Sequence, residues 1–432
     1  MTTMNKGIPS VFYVKTKHPE KGWSEPIQMK RGGMDTSFFF DTDGKAYVVY
    51  SHIPFGGPKY DGQLAIHMNE FDWQADTIKQ KTYELTTGSK CIENSKFIEG
   101  PHLYKVGKYY YLMCAEHGTL FNHSEVIFRS ESIYGPWEEC PFNPILTQRD
   151  LTDHHRLDMV TSAGHADLVQ AKDGQWWAVF LGCRPYEVDE KQIPVADFYN
   201  TGRETFLLPV RWKDGWPIIL EQGKAIPTIV EKTGMKNSQN MQVTGNYTFT
   251  DVFDNEKLDY QWLFLRNPEM SFYDWSGAGI KLKAKPVSIY QLDSPVAIFY
   301  RQKHTSFYAE TELMFTVTDE QQLAGLVVFQ NEKFNFVMGK TMSGGETAIT
   351  VMRTECGQTI QLGSAEIPDN KPVRLKVEGD GRYYTFSYAV GNGQWQTLVR
   401  NADGINLSSV KAGGYLGATI GLYATSNKDK HE

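Results

Sequence analysis

Long apolar runs are missing from this chain of 432 residues. No segment approaches the roughly 18 consecutive apolar residues of a membrane-spanning helix, which excludes a helical membrane protein. Clusters of Lys and Arg are missing too, and 44 Lys+Arg against 51 Asp+Glu leave a net charge of −7. Nucleic acid, whose binding needs a basic patch, is thereby set aside as a partner. Cysteine is scarce: Cys91, Cys114, Cys140, Cys183 and Cys356 are scattered, odd in number and without CxxC spacing. Neither a disulfide framework nor a zinc site is expected from them. The start, Met1-Thr2-Thr3-Met4-Asn5-Lys6-Gly7, lacks the apolar core of a signal peptide. Sustained helical periodicity is hard to find anywhere.

What the chain has instead is short alternating runs rich in Phe, Trp and Tyr, which make up 13% of it. That composition suits strands and sugar-stacking surfaces equally well. Three stretches repeat one design. Asp35-Thr36-Ser37-Phe38-Phe39-Phe40 turns at Asp43-Gly44 into Ala46-Tyr47-Val48-Val49-Tyr50. Glu99-Gly100-Pro101-His102-Leu103-Tyr104 turns at Gly107-Lys108 into Tyr109-Tyr110-Tyr111-Leu112-Met113. His165-Ala166-Asp167-Leu168-Val169-Gln170 turns at Asp173-Gly174 into Trp176-Trp177-Ala178-Val179-Phe180. The ionisable residue stands nine, eight and nine positions before its turn glycine. Recurring hairpins of this kind predict the blades of a β-propeller, whose first strands line a central channel. Two carboxylates and an imidazole are therefore expected to meet near the axis.

The length allows two or three domains. Residues 1–228 hold the blade repeats, 229–246 are polar and aperiodic as in a linker, and 247–428 return to short alternating strands. The second half predicts a β-sandwich. Of the Trp176-Trp177 pair, alternation places one ring inside the sheet. Asp153-His154-His155 is read as a loop and not a metal cluster, because adjacent residues on an extended chain point apart.

Three motifs in order closely resemble glycoside hydrolase family 43, the β-xylosidase and α-L-arabinofuranosidase group. They are Glu99-Gly100-Pro101-His102-Leu103-Tyr104-Lys105, Gly164-His165-Ala166-Asp167-Leu168-Val169 and Gly202-Arg203-Glu204-Thr205-Phe206-Leu207-Leu208-Pro209-Val210-Arg211-Trp212. In the second half, Asp251-Val252-Phe253-Asp254, Ala324-Gly325-Leu326-Val327-Val328-Phe329-Gln330 and Ile420-Gly421-Leu422-Tyr423-Ala424 resemble the concanavalin-like sandwich of the xylosidase branch. The resemblance implies an all-β chain, a five-bladed propeller followed by a sandwich, that hydrolyses xylan-derived β-xylosides or α-L-arabinofuranosides with inversion.

It also implies roles. Glu99 corresponds to the general acid, which must stay protonated to work and so needs burial or a like charge nearby. Asp35 corresponds to the carboxylate that supplies that charge and orients the acid. His165 matches the channel histidine and Arg203 the guanidinium that holds sugar hydroxyls through its planar fork. No cofactor is required, although calcium in the channel near His165 is implied; no EF-hand-like spacing accompanies it. An oligosaccharide is the expected partner, with no membrane, and homo-oligomers are an expectation for this branch.

One family feature is not found. Inversion needs a general base, which the family carries in a His-Pro-Asp-Pro-like motif; the nearest string here is His18-Pro19-Glu20. Aligned on Asp35, the chain is expected to lack the first blade and most of the second. Such a truncated enzyme would turn over poorly, and its export would stay unassigned. The rival from another class is a carbohydrate-binding protein that holds xylan fragments without cleaving them.

Overall fold

A computed structural model of the chain describes residues 2–5, 8–151, 153, 158–188, 197–232, 245–254, 257–277 and 279–429. Among them regular structure is almost wholly β, with one four-residue α-helix, Ser409–Ala412, and three short 3-10 turns. No helix of the described residues is long and apolar enough to cross a membrane. Most of the expected linker, together with His154 and His155, lies outside the described residues. Contacts divide the chain into two units, one drawn from Met1–Arg184 and Glu204–Val230, the other from Pro185–Asp189, Asp197–Arg203 and Glu231–Glu432.

In the first unit, antiparallel meanders follow one another, and each predicted hairpin is the leading pair of one sheet. The first sheet runs Met34–Phe40, Ala46–His52, Ala65–Asp72, Thr77–Thr86. The second runs Glu99–Val106, Tyr109–Glu116, Ser124–Ser130, Glu138–Glu139, and the third Thr161–Gln170, Trp176–Cys183, Glu204–Pro209. A small sheet of Thr2–Asn5, Ile8–Tyr13 and Ile27–Gln28 precedes them, and a hairpin, Arg211–Lys213 with Trp216–Ile218, follows. Successive sheets bury apolar faces against each other. Tyr47, Val49, Met68, Leu112, Val126 and Phe128 fill the first interface, while Met113, Ile127, Ala163, Phe180 and Trp216 fill the second. This is blade packing, and it sets the leading strands of the three sheets side by side.

Turn chemistry ties neighbouring sheets. The buried Asp41, opening the first hairpin turn, accepts the Thr42 N–H at 2.6 Å, the Lys105 ammonium at 2.7 Å and the Tyr110 hydroxyl at 2.6 Å. Burial alone would raise its pKa, yet these donors hold the carboxyl below the usual range. Gly44, at φ 84°, completes the turn in a conformation that costs glycine nothing. Of the tryptophan pair, Trp177 is buried and Trp176 packs edge-on to Trp212.

The second unit is a β-sandwich. One sheet orders Trp262–Leu263, Val296–Arg301, Thr419–Thr425, Leu323–Asn331, Phe334–Ser343, Glu346–Glu355 and Gln358–Glu366; the other orders Ser306–Leu313, Val373–Asp380, Tyr383–Val390 and Gln396–Asp403. Leu326, Phe336, Val351, Leu375, Val377 and Phe386 form the core between them. The strict in-out alternation of Ser306–Leu313 is what a strand with one wet face requires.

Candidate active site

Each leading strand of the first unit slips its ladder near its start in the same way, and Thr161–Gln170 slips once more just before, between Thr161 and Gly164. Met34 opposes Ser51 but Ser37 opposes Val49; Glu99 opposes Ala115 but His102 opposes Met113; Gly164 opposes Leu181 but Asp167 opposes Val179. Two residues thus face one on the partner, which is a β-bulge. The first bulged residue is left-handed in all three: Asp35 at φ 51°, Gly100 at φ 57° and His165 at φ 55°. Non-glycine residues hold that conformation only when the surroundings impose it, and bulges of this type re-aim side chains.

The three positions meet. Asp35 Oδ2 accepts the Gly100 N–H at 3.3 Å and lies 3.5 Å from His165 Nε2. The His165 ring covers Gly100 so closely that a Cβ there would stand 2.8 Å from its Cε1. The equivalent of Asp35 and His165 is therefore Gly100 and not Glu99, which stands one residue earlier. Counting back to the turn glycines conceals this, because the second hairpin turns in two residues, Gly107-Lys108, where the others use five. Glu99 follows the ladder into the same locality, and its charge acts on His165.

Charge shifts the titration of the imidazole upward. The bond to Asp35 raises the His165 pKa against the opposing effect of burial, with Glu125 and Glu99 adding to the rise. The raised value gives stability that is fully present below the unfolded histidine pKa of about 6.5 and is lost as pH rises through the folded one. In Asp35→Asn, burial remains while the main cause of the rise is gone. The His165 titration midpoint, followed by NMR of its Cε1–H, is expected to fall relative to the parent; an unchanged midpoint would deny the coupling.

One step down the strands, the next side chains on the same face also pair across sheets. Ser37 Oγ is 3.0 Å from His102 Nδ1, and the Tyr104 hydroxyl donates to Asp167 while accepting the Leu168 N–H. Burial depresses the His102 pKa, the opposite direction to the shift of His165. A cleft of about 450 Å³ adjoins the first strand, reaching Met34 beside Asp35 and lined by Lys30, Arg31, Ser51 and His52.

Arg203 belongs to the second unit. Its guanidinium stacks 4.0 Å over the Tyr415 ring, its N–H donates to Tyr415 O at 3.4 Å, and its Nη2 is buried with no hydrogen-bond partner among the described residues. Glu204 pairs with Arg184, through bonds of 2.8 and 2.7 Å. Among the described residues no three His, Cys, Asp or Glu side chains are grouped as ligands, and the imidazole is occupied with Asp35. A calcium ion asks for six to eight oxygens.

Sequence reasoning missed Gly100, His102, His123 and Glu125. A glycine beside the second carboxylate, where the other repeats carry Asp35 and His165, was the available signal for the first. Buried His123 and Glu125 carry no motif.

A model of the family described as glycosyl hydrolases family 43 matches residues 1–217, and one described as the beta xylosidase C-terminal concanavalin A-like domain matches 250–432. The non-reducing end alpha-L-arabinofuranosidase BoGH43B of Bacteroides ovatus is 33% identical over 98% of this chain and 74% of its own length. A xylosidase/arabinosidase of Butyrivibrio fibrisolvens is 30% identical over 99% of this chain and 80% of its own. Among solved structures, a GH43_12 retrieved from capybara gut metagenome superposes with a TM-score of 0.83 at 36% identity, covering 97% of this chain and 77% of that one. The expected loss of the first blade and most of the second is not shown by these matches.

Proposed function

This chain belongs to glycosyl hydrolases family 43, and on that premise we propose that it hydrolyses xylan-derived β-xylosides or α-L-arabinofuranosides at the channel end marked by Asp35, Glu99 and His165. The observation that carries the proposal is the meeting of three identical bulges, which aim Asp35 and His165 at each other beside Glu99. Glycosidic cleavage needs a carboxylic acid to protonate the departing oxygen, and Glu99 takes that role. Asp35 orients the acid and the His165 ring. The adjoining cleft is of a size for a sugar residue. Arg203, with one guanidinium nitrogen buried and without a hydrogen-bond partner among the described residues, is proposed to hold sugar hydroxyls.

Inversion asks for a base roughly 6.5 to 9.5 Å from the acid. Asp35 is a poor base, since its Oδ2 already serves His165 and Gly100. That engagement favours one second reading, a protein that binds such sugars without cleaving them. Proton NMR of products from a β-xyloside separates the possibilities. Inverting hydrolysis releases the α-anomer first; first release of the β-anomer would refute inversion, and sugar binding with no product would favour the second reading.

A further inference from the structure

Two successive bulges, at Ser162–Ala163 and at His165–Ala166, flank Gly164, which opposes Leu181, and leave backbone groups of those residues outside the ladder with Trp176–Cys183. Such groups, when buried, have to find partners elsewhere. Two side chains of the neighbouring sheet supply them. His123 Nδ1 lies 2.9 Å from Ser162 O, where its N–H donates, and Glu125 Oε2 accepts the Ala166 N–H at 3.0 Å. The two residues stand two apart at the start of Ser124–Ser130, so both project from the same face of an extended chain. Both are buried, with exposures of 1% and 0%. Between their anchor points the His123 ring covers Gly164, where a Cβ would stand 2.9 Å from Cε1. The bulge is therefore gripped on both sides of His165 by the adjacent sheet.

We propose that His123 and Glu125 are positioning residues that hold the double bulge of Ser162–Ala166 and thereby set the left-handed His165 opposite Asp35. The proposal rests on the site proposed above for its relevance to sugar chemistry, but its geometric claim is independent of turnover. Neither side chain touches the reacting atoms. A buried carboxyl is costly, and burial does push that of Glu125 up to about 8; its place beneath the bulge gives a reason to keep it.

The test uses the whole chain and the His165 ring signal in a carbon–proton NMR spectrum, assigned by its disappearance in His165→Asn. Glu125→Leu keeps the volume and removes the acceptor, while Glu125→Gln keeps an acceptor for the Ala166 N–H. The expected result is a shifted or broadened His165 signal in folded Glu125→Leu, largely restored in Glu125→Gln, with xylobiose binding about tenfold weaker in the Leu variant. A His165 signal unmoved in folded Glu125→Leu, or moved equally in both variants, would overturn the proposal. Should Glu125→Leu fail to fold, His123→Ala removes the other grip, and an unmoved His165 signal there would overturn it equally. Absence of xylobiose binding in the parent chain would count against the sugar site while leaving the ring signals to decide the clamp.

Discussion

Gly100→Ala is expected to destabilise the first unit by about 2–5 kcal/mol and to expel His165 from its place beside Asp35. Two costs combine. A Cβ in the left-handed region costs about 1–2 kcal/mol, and forcing an atom into a filled space costs typically about 1–3 kcal/mol. Here the new methyl would stand 2.8–2.9 Å from Cε1, Nδ1 and Nε2 of His165, well inside contact distance. The ring cannot step aside cheaply, because its backbone is fixed in the bulge and Asp35 lies 3.5 Å from its Nε2. Gly107→Ala is the control. That glycine is equally left-handed, at φ 59°, but nothing lies within 4 Å of its added Cβ. It should therefore lose only the conformational part. Urea unfolding of both variants reads the difference, and equal losses would show that the close approach of His165 to Gly100 carries no energy.

Glu99→Gln is expected to produce the largest loss of turnover. General acid catalysis supplies about 10²- to 10⁴-fold, and it matters most when the departing alcohol is a poor leaving group. A xylo-oligosaccharide should therefore lose close to that full factor, whereas an activated aryl glycoside, which leaves with little proton help, should lose far less. Glutamine has nearly the size and polarity of glutamate, so binding of the oligosaccharide is expected to persist. Steady-state rates on the two substrates, with affinity measured by calorimetry, check this. Equal losses on both substrates would remove Glu99 from the acid role.

Much of this architecture was legible in the residues themselves. Phe38-Phe39-Phe40 and Ala46–Tyr50 around Asp43-Gly44, with their two counterparts, announced hairpins because aromatic alternation and turn glycines are local signals. The sandwich was legible for the same reason, since strands such as Ser306–Leu313 alternate strictly. The bulges were not. A bulge inserts one residue without altering composition, so counting from turn glycines equated Glu99 with Asp35 and His165 and passed over Gly100. His123 and Glu125 stayed hidden because their importance lies in which backbone groups they reach in another sheet, which no local pattern encodes. Arg203 stood out by its motif, yet no local pattern marks the short segment Asp197–Arg203 as part of the sandwich unit, with Arg203 stacked on Tyr415.

The most direct measurement is release of monosaccharide from xylobiose and from an α-L-arabinofuranosyl-substituted xylo-oligosaccharide, both with poor leaving groups, by the 432-residue chain, with Glu99→Ala beside it. A glycosidase built on the Asp35, Glu99 and His165 cluster releases sugar from at least one of the two, and the variant releases it markedly more slowly. Release unaffected by the substitution, or none from folded parent protein that still binds the sugar, would contradict that assignment.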